Sequence, residues 1–327
     1  MKGKHHIVLE SKRLKYEFDI KRNITVILGD SATGKTTMLG MLSDYARFEE
    51  SRGVKLESDV PCIVFVGIGD NWKIGLVETE DSIVFIDEDH SFVFSEDFAH
   101  YVADSSNYFV IITRRPLYNL PYSIDEVYGI RTTGRFHFPE KIYHEFYQYY
   151  DIRSNEDMKR NPYTFLLEDS GSGYEFYRNT FEACLCKSSE GNSKLAKLLS
   201  ETEGSSVVIA DGAAFGAYIE KILSIAESKT NVILYLPESF EWLVLKSGIV
   251  GHKDLDDILA CPEVYIESKE YMSWERFFTA LLIHCTENDP IKQYSKVKLL
   301  PFYYTGKNRD AILDIMPEEI RKLASQD

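Results

Sequence analysis

Short, nearly unbroken apolar runs recur along the chain, separated by polar stretches whose apolar residues fall at helical spacing. Residues 24–28, Ile-Thr-Val-Ile-Leu, form such a run, as a strand buried on both faces of a parallel sheet requires. Residues 62–66, 82–87 and 108–113 are further apolar, β-branched runs, and 15–20 reads as a strand. Helices are predicted over 35–48 and 95–103. This alternation predicts a largely parallel sheet covered on both faces.

The rhythm then repeats: strand 163–167, helix 174–181, helix 194–199, strand 205–210, helix 214–225, strand 231–236. Residues 274–284 have helical spacing, and Pro317 followed by Glu318 and Glu319 is a helix start with favourable charge in its first turn. The aromatic and polar stretch 138–162, HEFYQYY and then DIRSNEDMKRNP, reads as a boundary. The expected fold class is α/β: a first domain over 1–137 with a mostly parallel sheet, a linker over 138–162, a second α/β domain over 163–270, and a helical C-terminal extension over 271–327.

Composition narrows the setting. The chain has 327 residues, 44% apolar and 27% charged, as a soluble globular protein does. The N-terminus lacks the apolar core of a signal peptide and no run approaches the ~20 residues of a membrane span, so a cytoplasmic protein without membrane contact is expected. Five cysteines without a C-x-x-C pair argue against disulfides and zinc, and each is expected to be a small buried hydrophobe. The net charge of -15 repels phosphate backbones, so nucleic-acid contact has to be local or metal-assisted. Lys12, Arg13 and Lys15, and Arg114 with Arg115, read as solvated faces.

Gly29, Asp30, Ser31, Ala32, Thr33, Gly34, Lys35 and Thr36 fit G-x-x-x-x-G-K-[ST] between a strand and a helix. The glycines let successive N–H groups converge on phosphate oxygens, and the helix N-terminus adds partial positive charge. Lys35 is expected to reach the β- and γ-phosphates of ATP and Thr36 to ligate Mg²⁺; Thr37, next on the helix, completes the phosphate-binding set. Asp87 and Glu88 end an apolar run, the Asp to hold Mg²⁺ and the Glu to polarise water. Thr113 and Arg114 end another, and either sense the γ-phosphate or, for the arginines, pair with surface carboxylates.

In the second stretch Glu168 and Asp169 end one strand and Asp211 another, with Glu238 and Glu241 after a third. Neighbouring parallel strand ends lie close, so Glu168, Asp211 and Glu238 are candidate ligands of Mg²⁺ or Mn²⁺. Residues 191–194, ending in Lys194, read as an anion contact or a polar turn. His284 reads as a core histidine, while His5, His6 and His90 have no partner pattern.

The first 135 or so residues resemble P-loop ATPases of the ATP-binding-cassette and RecF-like group, without their helical insert or LSGGQ-type signature. Residues from about 163 to 247 resemble the Toprim fold of topoisomerases, primases and OLD-type nucleases. Glu168 matches the first-strand glutamate and Asp211 the first acid of D-x-D. Ala213 stands at the second acid, and Ser172 where OLD-type members carry aspartate, leaving Asp169, Glu238 or Glu241 as substitutes. The resemblance implies a compact, degenerate OLD-type ATPase-nuclease in which ATP state gates metal-dependent phosphodiester cleavage, as in bacterial defence. The competing expectation is a nucleotide-switched interaction module acting through a partner protein. A small-molecule kinase is a third, opposed by the lack of a basic lid segment. Expected partners are ATP, nucleic acid at the metal site, a partner protein and further copies of the chain.

Overall fold

Three of the apolar runs are buried at every position: β3 (Ile24–Ile27), β6 (Ile83–Ile86) and β7 (Tyr108–Ile112). A computed structural model describes residues 1–29, 33–48, 53–67, 72–137, 141–150 and 163–324. The chain forms two units, one of residues 1–151 and 261–273, the other of 152–260 and 274–327.

In the first unit the described residues build a nine-stranded, mostly parallel sheet. Its other strands are β1 (His5–Glu10), β2 (Leu14–Ile20), β4 (Lys55–Glu57), β5 (Cys62–Val64), β8 (Val127–His137) and β9 (Lys141–Gln148). The order is β4-β1-β2-β9-β8-β3-β7-β6-β5. From β8 through β3, β7 and β6 to β5 every pairing is parallel. Antiparallel pairings join β8 to β9, and β1 to both β2 and β4. Helix α1 (Lys35–Phe48) forms over its expected span, and its Met38 and Leu42 share a core with Ile27, Phe85, Val110 and Ile112. Alternation along a strand sends the next residues to the other face. There Phe109 meets Phe98 of α3 (Glu96–Ala103), and Trp72 of α2 (Trp72–Leu76) meets Phe98 edge-on as well. Ser95 caps α3 by accepting from Phe98 N–H at 3.2 Å.

The expected linker is corrected. Within 138–162, β9 lies inside the sheet, parallel to β2 and antiparallel to β8. HEFYQYY is dense in aromatic residues, and its Phe146 stacks on Phe18 at 4.0 Å and 2°, the fit of an aromatic strand to a pleated surface. Residues 138–140 and 151–162 lie outside the described set.

The second unit is built on a fully parallel four-stranded sheet among the described residues: β10 (Tyr163–Leu167), β11 (Leu185–Ser188), β12 (Ser205–Ile209) and β13 (Val232–Tyr235), in the order β11-β10-β12-β13. Helices α4 (Ser172–Thr180), α5 (Asn192–Glu201), α6 (Ile219–Glu227), α7 (Phe240–Lys246) and α8 (Leu255–Ala260) accompany it. The helix expected over 214–225 is a 3₁₀ turn at Gly212–Ala214 and then α6, with Gly216 in the break between them.

The expected boundary between 270 and 271 is also displaced. Residues 261–273 return to the first unit, where Asn23 donates to the Met272 carbonyl at 2.8 Å and Ser268 N–H to the Met1 carbonyl at 3.0 Å. Helices α9 (Trp274–Thr286), α10 (Pro301–Tyr304), α11 (Gly306–Leu313) and α12 (Glu318–Ala324) belong to the second unit. On α9 the buried positions are Trp274, Phe278, Leu282 and Thr286, so His284 is not a core residue: it is 68% exposed and faces Glu287 at 3.3 Å. The cysteines are free but not fully buried: Cys261 is exposed and the other four are half-buried. Among the described residues no helix is long and apolar enough to cross a membrane.

Candidate functional site

Two acidic edges collect the chemistry, one in each unit, and both lie at the carboxyl ends of parallel strands, where α/β sheets hold their ligands.

In the first unit β3 ends at Ile27, and Gly29 and Gly34 take φ of +123° and +96°. Those angles favour glycine, and at Gly34 a Cβ would stand 2.8 Å from the Tyr16 hydroxyl. Lys35, the first residue of α1, is buried, and its ammonium donates to the Gly29 carbonyl. Thr36 and Thr37 follow, exposed, in the first turn of the helix. Asp30, Ser31 and Ala32 lie outside the described residues; Thr33 is described and half-buried.

Strand β7 separates β3 from β6, and its register puts Ile112 beside Ile27 and Ile111 beside Ile86. Asp87, half-buried just beyond β6, is thus two strand spacings from the glycine loop, roughly 10 Å. Its Oδ1 accepts from Glu88 N–H at 2.8 Å. Glu88 is gripped by Arg114, which β7 delivers to the same edge. Thr113 exchanges hydrogen bonds with Arg115, whose guanidinium lies 4.1 Å from the Phe94 ring centre. A bound Mg²⁺ takes one or two protein ligands and completes its shell with phosphates and water. Thr36 and Asp87 fit that donor set.

Sequence reasoning missed His144. It sits beside Tyr16 in the β2–β9 ladder and stacks on it at 4.4 Å, while Tyr16 donates to the Gly34 carbonyl at 3.0 Å. Burial lowers the imidazole's pKa. The missed signal was the density of aromatic residues in HEFYQYY, which suits a strand.

In the second unit Glu168 follows β10 and Asp211 follows β12, neighbours at the point where strand order reverses. Glu168, Asp169, Asp211, Tyr177 and Phe240 line a crevice of about 20 Å³, room for one water-sized sphere. Glu238 is not among its lining residues and contributes a backbone carbonyl, which accepts from Ala213 N–H at 3.1 Å. Asp169 uses both oxygens on the turn into α4, accepting from Gly171 N–H at 2.9 Å and Gly173 N–H at 2.7 Å. Asp211 Oδ1 accepts from Phe240 N–H at 3.2 Å. Lys194 pairs with Glu190 at 3.0 Å.

The structure adds three residues that sequence reasoning did not place here: Glu275 from α9, and Tyr294 and Lys296 from the segment after it. Tyr294 donates to Glu241 Oε1 at 2.6 Å and exchanges a 2.6 Å hydrogen bond with Ser172. The Lys296 ammonium pairs with Glu275 and stands 3.7 Å from Glu241 Oε1. Burial, with Glu275 and Asp169 nearby, pushes the Glu168 carboxyl up to about 7. Asp211 is raised well above its ordinary range by burial and by Glu275, Glu241 and Glu168, with Lys296 opposing. Burial works against the Lys296 charge, but Glu241, Glu275 and Asp211 outweigh it and raise its pKa. Tyr177 is 3% exposed, and its hydroxyl has no hydrogen-bond partner among the described residues. Nothing in the sequence marks Glu275 or Lys296, since both stand more than 60 residues downstream of Asp211.

Among the described residues no three His, Cys, Asp or Glu side chains come together in a group able to hold a metal ion. In the second unit the residues do not fit a divalent cation: Asp169 and Asp211 accept from backbone amides, and Glu241 and Glu275 are engaged by Tyr294 and Lys296. Compared with protein-family models, curated proteins and solved structures, the chain matches none.

Proposed function

We propose that the chain is an ATP-binding protein, with ATPase chemistry in the first unit, whose nucleotide state controls the second unit as an interaction module. The observation that carries this reading is the loop geometry: Gly29 and Gly34 at positive φ bracket a segment that ends in a buried Lys35 at a helix N-terminus. Backbone amides and the helix dipole favour phosphate there. Lys35 exchanges the Gly29 carbonyl for phosphate oxygens. The Thr36 hydroxyl and Asp87 would hold Mg²⁺, which neutralises phosphate charge. Glu88 orients and polarises the attacking water once Arg114 releases it.

Control of the second unit is supported by chain connectivity. The segment 261–273 belongs to the first unit, and α9, which carries Glu275, begins at the next residue. The engagement of the second unit's acids with Lys296 and Tyr294 favours an interaction module over a metal-dependent nuclease.

Titration calorimetry with ATP and Mg²⁺ tests the binding. Saturable heat is expected for the wild type and none for Lys35→Ala; equal heat in both overturns the reading. Incubation with plasmid and linear DNA in Mg²⁺ or Mn²⁺ tests the module. No cutting is expected, and cutting lost in both Glu168→Ala and Asp211→Ala would replace the module with a nuclease.

A further inference from the structure

Lys296 is fixed in place from both ends of its residue. Its backbone carbonyl accepts from Ser172 N–H at 2.9 Å, so the segment carrying it lies on the first residue of α4. Gly171 permits that approach, since a Cβ there would stand 2.1 Å from the Lys296 carbonyl oxygen. On one side Tyr294 ties the segment to Ser172 and Glu241; on the other, Leu299 N–H donates to Glu175. The ammonium is thereby delivered to Glu275 and Glu241. Where the resembling nucleases carry an aspartate, this chain has Ser172, and Ser172 binds the lysine's own segment.

We propose that the Lys296 ammonium is the resident cation of the second unit's buried acids, a tethered side chain in the role a divalent metal would otherwise fill, so that the unit folds and acts without metal. The ammonium pairs with Glu241 and Glu275, and its charge also acts on Asp211 and Glu168 at the strand ends, where a second positive charge would be repelled at contact range. The inference does not depend on ATP binding by the first unit.

The test is Mn²⁺ binding to the full chain without nucleotide, followed by electron paramagnetic resonance. Wild type is expected to bind no Mn²⁺ that Asp211→Asn removes; Mn²⁺ removed by that substitution overturns the proposal. A site lost instead in Thr36→Ala belongs to the first unit and bears only on the ATP reading. Lys296→Met, with its fold checked by circular dichroism, is expected to gain one Mn²⁺ at least about tenfold tighter than wild type, and to recover thermal stability when Mn²⁺ is added. A folded Lys296→Met that binds no Mn²⁺ also overturns it. Should that variant not fold, the wild-type comparison with Asp211→Asn decides alone.

Discussion

Arg114 holds Glu88 by both carboxylate oxygens: Nε donates to Oε2 at 2.8 Å and Nη2 to Oε1 at 2.9 Å. The two side chains are 56% and 31% exposed, so the pair contributes less than about 1 kcal/mol to stability. Its effect falls on chemistry, because a carboxylate held by a guanidinium on both oxygens is not free to orient a water. Arg114→Ala is expected to raise ATP turnover several-fold while leaving Tm and ATP affinity unchanged, measured by phosphate release, thermal unfolding and calorimetry. Slower turnover would instead assign Arg114 to the γ-phosphate.

Glu88→Gln keeps the shape and removes the base. Turnover is expected to fall by about 10²-fold or more with ATP binding retained, which single-turnover phosphate release would measure.

Gly34→Ala combines a φ of +96° with a Cβ 2.8 Å from the Tyr16 hydroxyl. A loss of about 1–3 kcal/mol is expected in urea unfolding, together with loss of ATP heat. Adding Tyr16→Phe removes the collision but not the backbone strain, so recovery is partial.

Tyr294→Phe deprives the buried Glu241 carboxylate of a hydrogen bond and is expected to cost about 1.5–3 kcal/mol. Gly171→Ala drives a methyl into the Lys296 carbonyl and is expected to cost about 2 kcal/mol or more. Both are read from urea unfolding, and both loosen the same segment, so the double variant is expected to lose less than the sum.

Glu168 ionises near its ordinary value of 4.5 in the unfolded chain and near 7 in the folded one. Between those values the folded state holds the extra proton, so stability falls as pH rises from about 4.5 to about 7 and stays low above. The raised Asp211 acts in the same direction. Glu168→Gln is expected to flatten this slope and to stabilise the protein at pH 8 by about 1–3 kcal/mol. Denaturant unfolding at pH 5, 6, 7 and 8 measures it; an unchanged slope would contradict the carboxyl's raised position.

Local patterns were legible where burial is uniform or a motif is contiguous. The run before Gly29 is strand β3, and α1 spans Lys35–Phe48 as its spacing predicts. Glu168 and Asp211 stand at neighbouring strand ends because β10 and β12 pair directly. The pattern misled where a strand mixes aromatic and charged residues. HEFYQYY looked like a connector, yet its Phe146 packs against the core, and only pairing with β2 and β8 makes the stretch a strand. His284 looked buried because its chain neighbours are apolar, but α9 turns it away from its packed face.

By itself the sequence determined the α/β class, the strand before Gly29 and the helix from Lys35, and the acids closing β6, β10 and β12, because each depends on residues within one or two elements of each other. Only the tertiary structure decided that Arg114 holds Glu88, that His144 stacks beside Gly34, and that Glu275 and Lys296 enter the second acidic edge. Those partners are brought together by strand order and by a chain that leaves its second unit over 261–273 and returns. Burial strength at Glu168 and Asp211 depends on all of them at once, since desolvation and charge act through space and not along the chain.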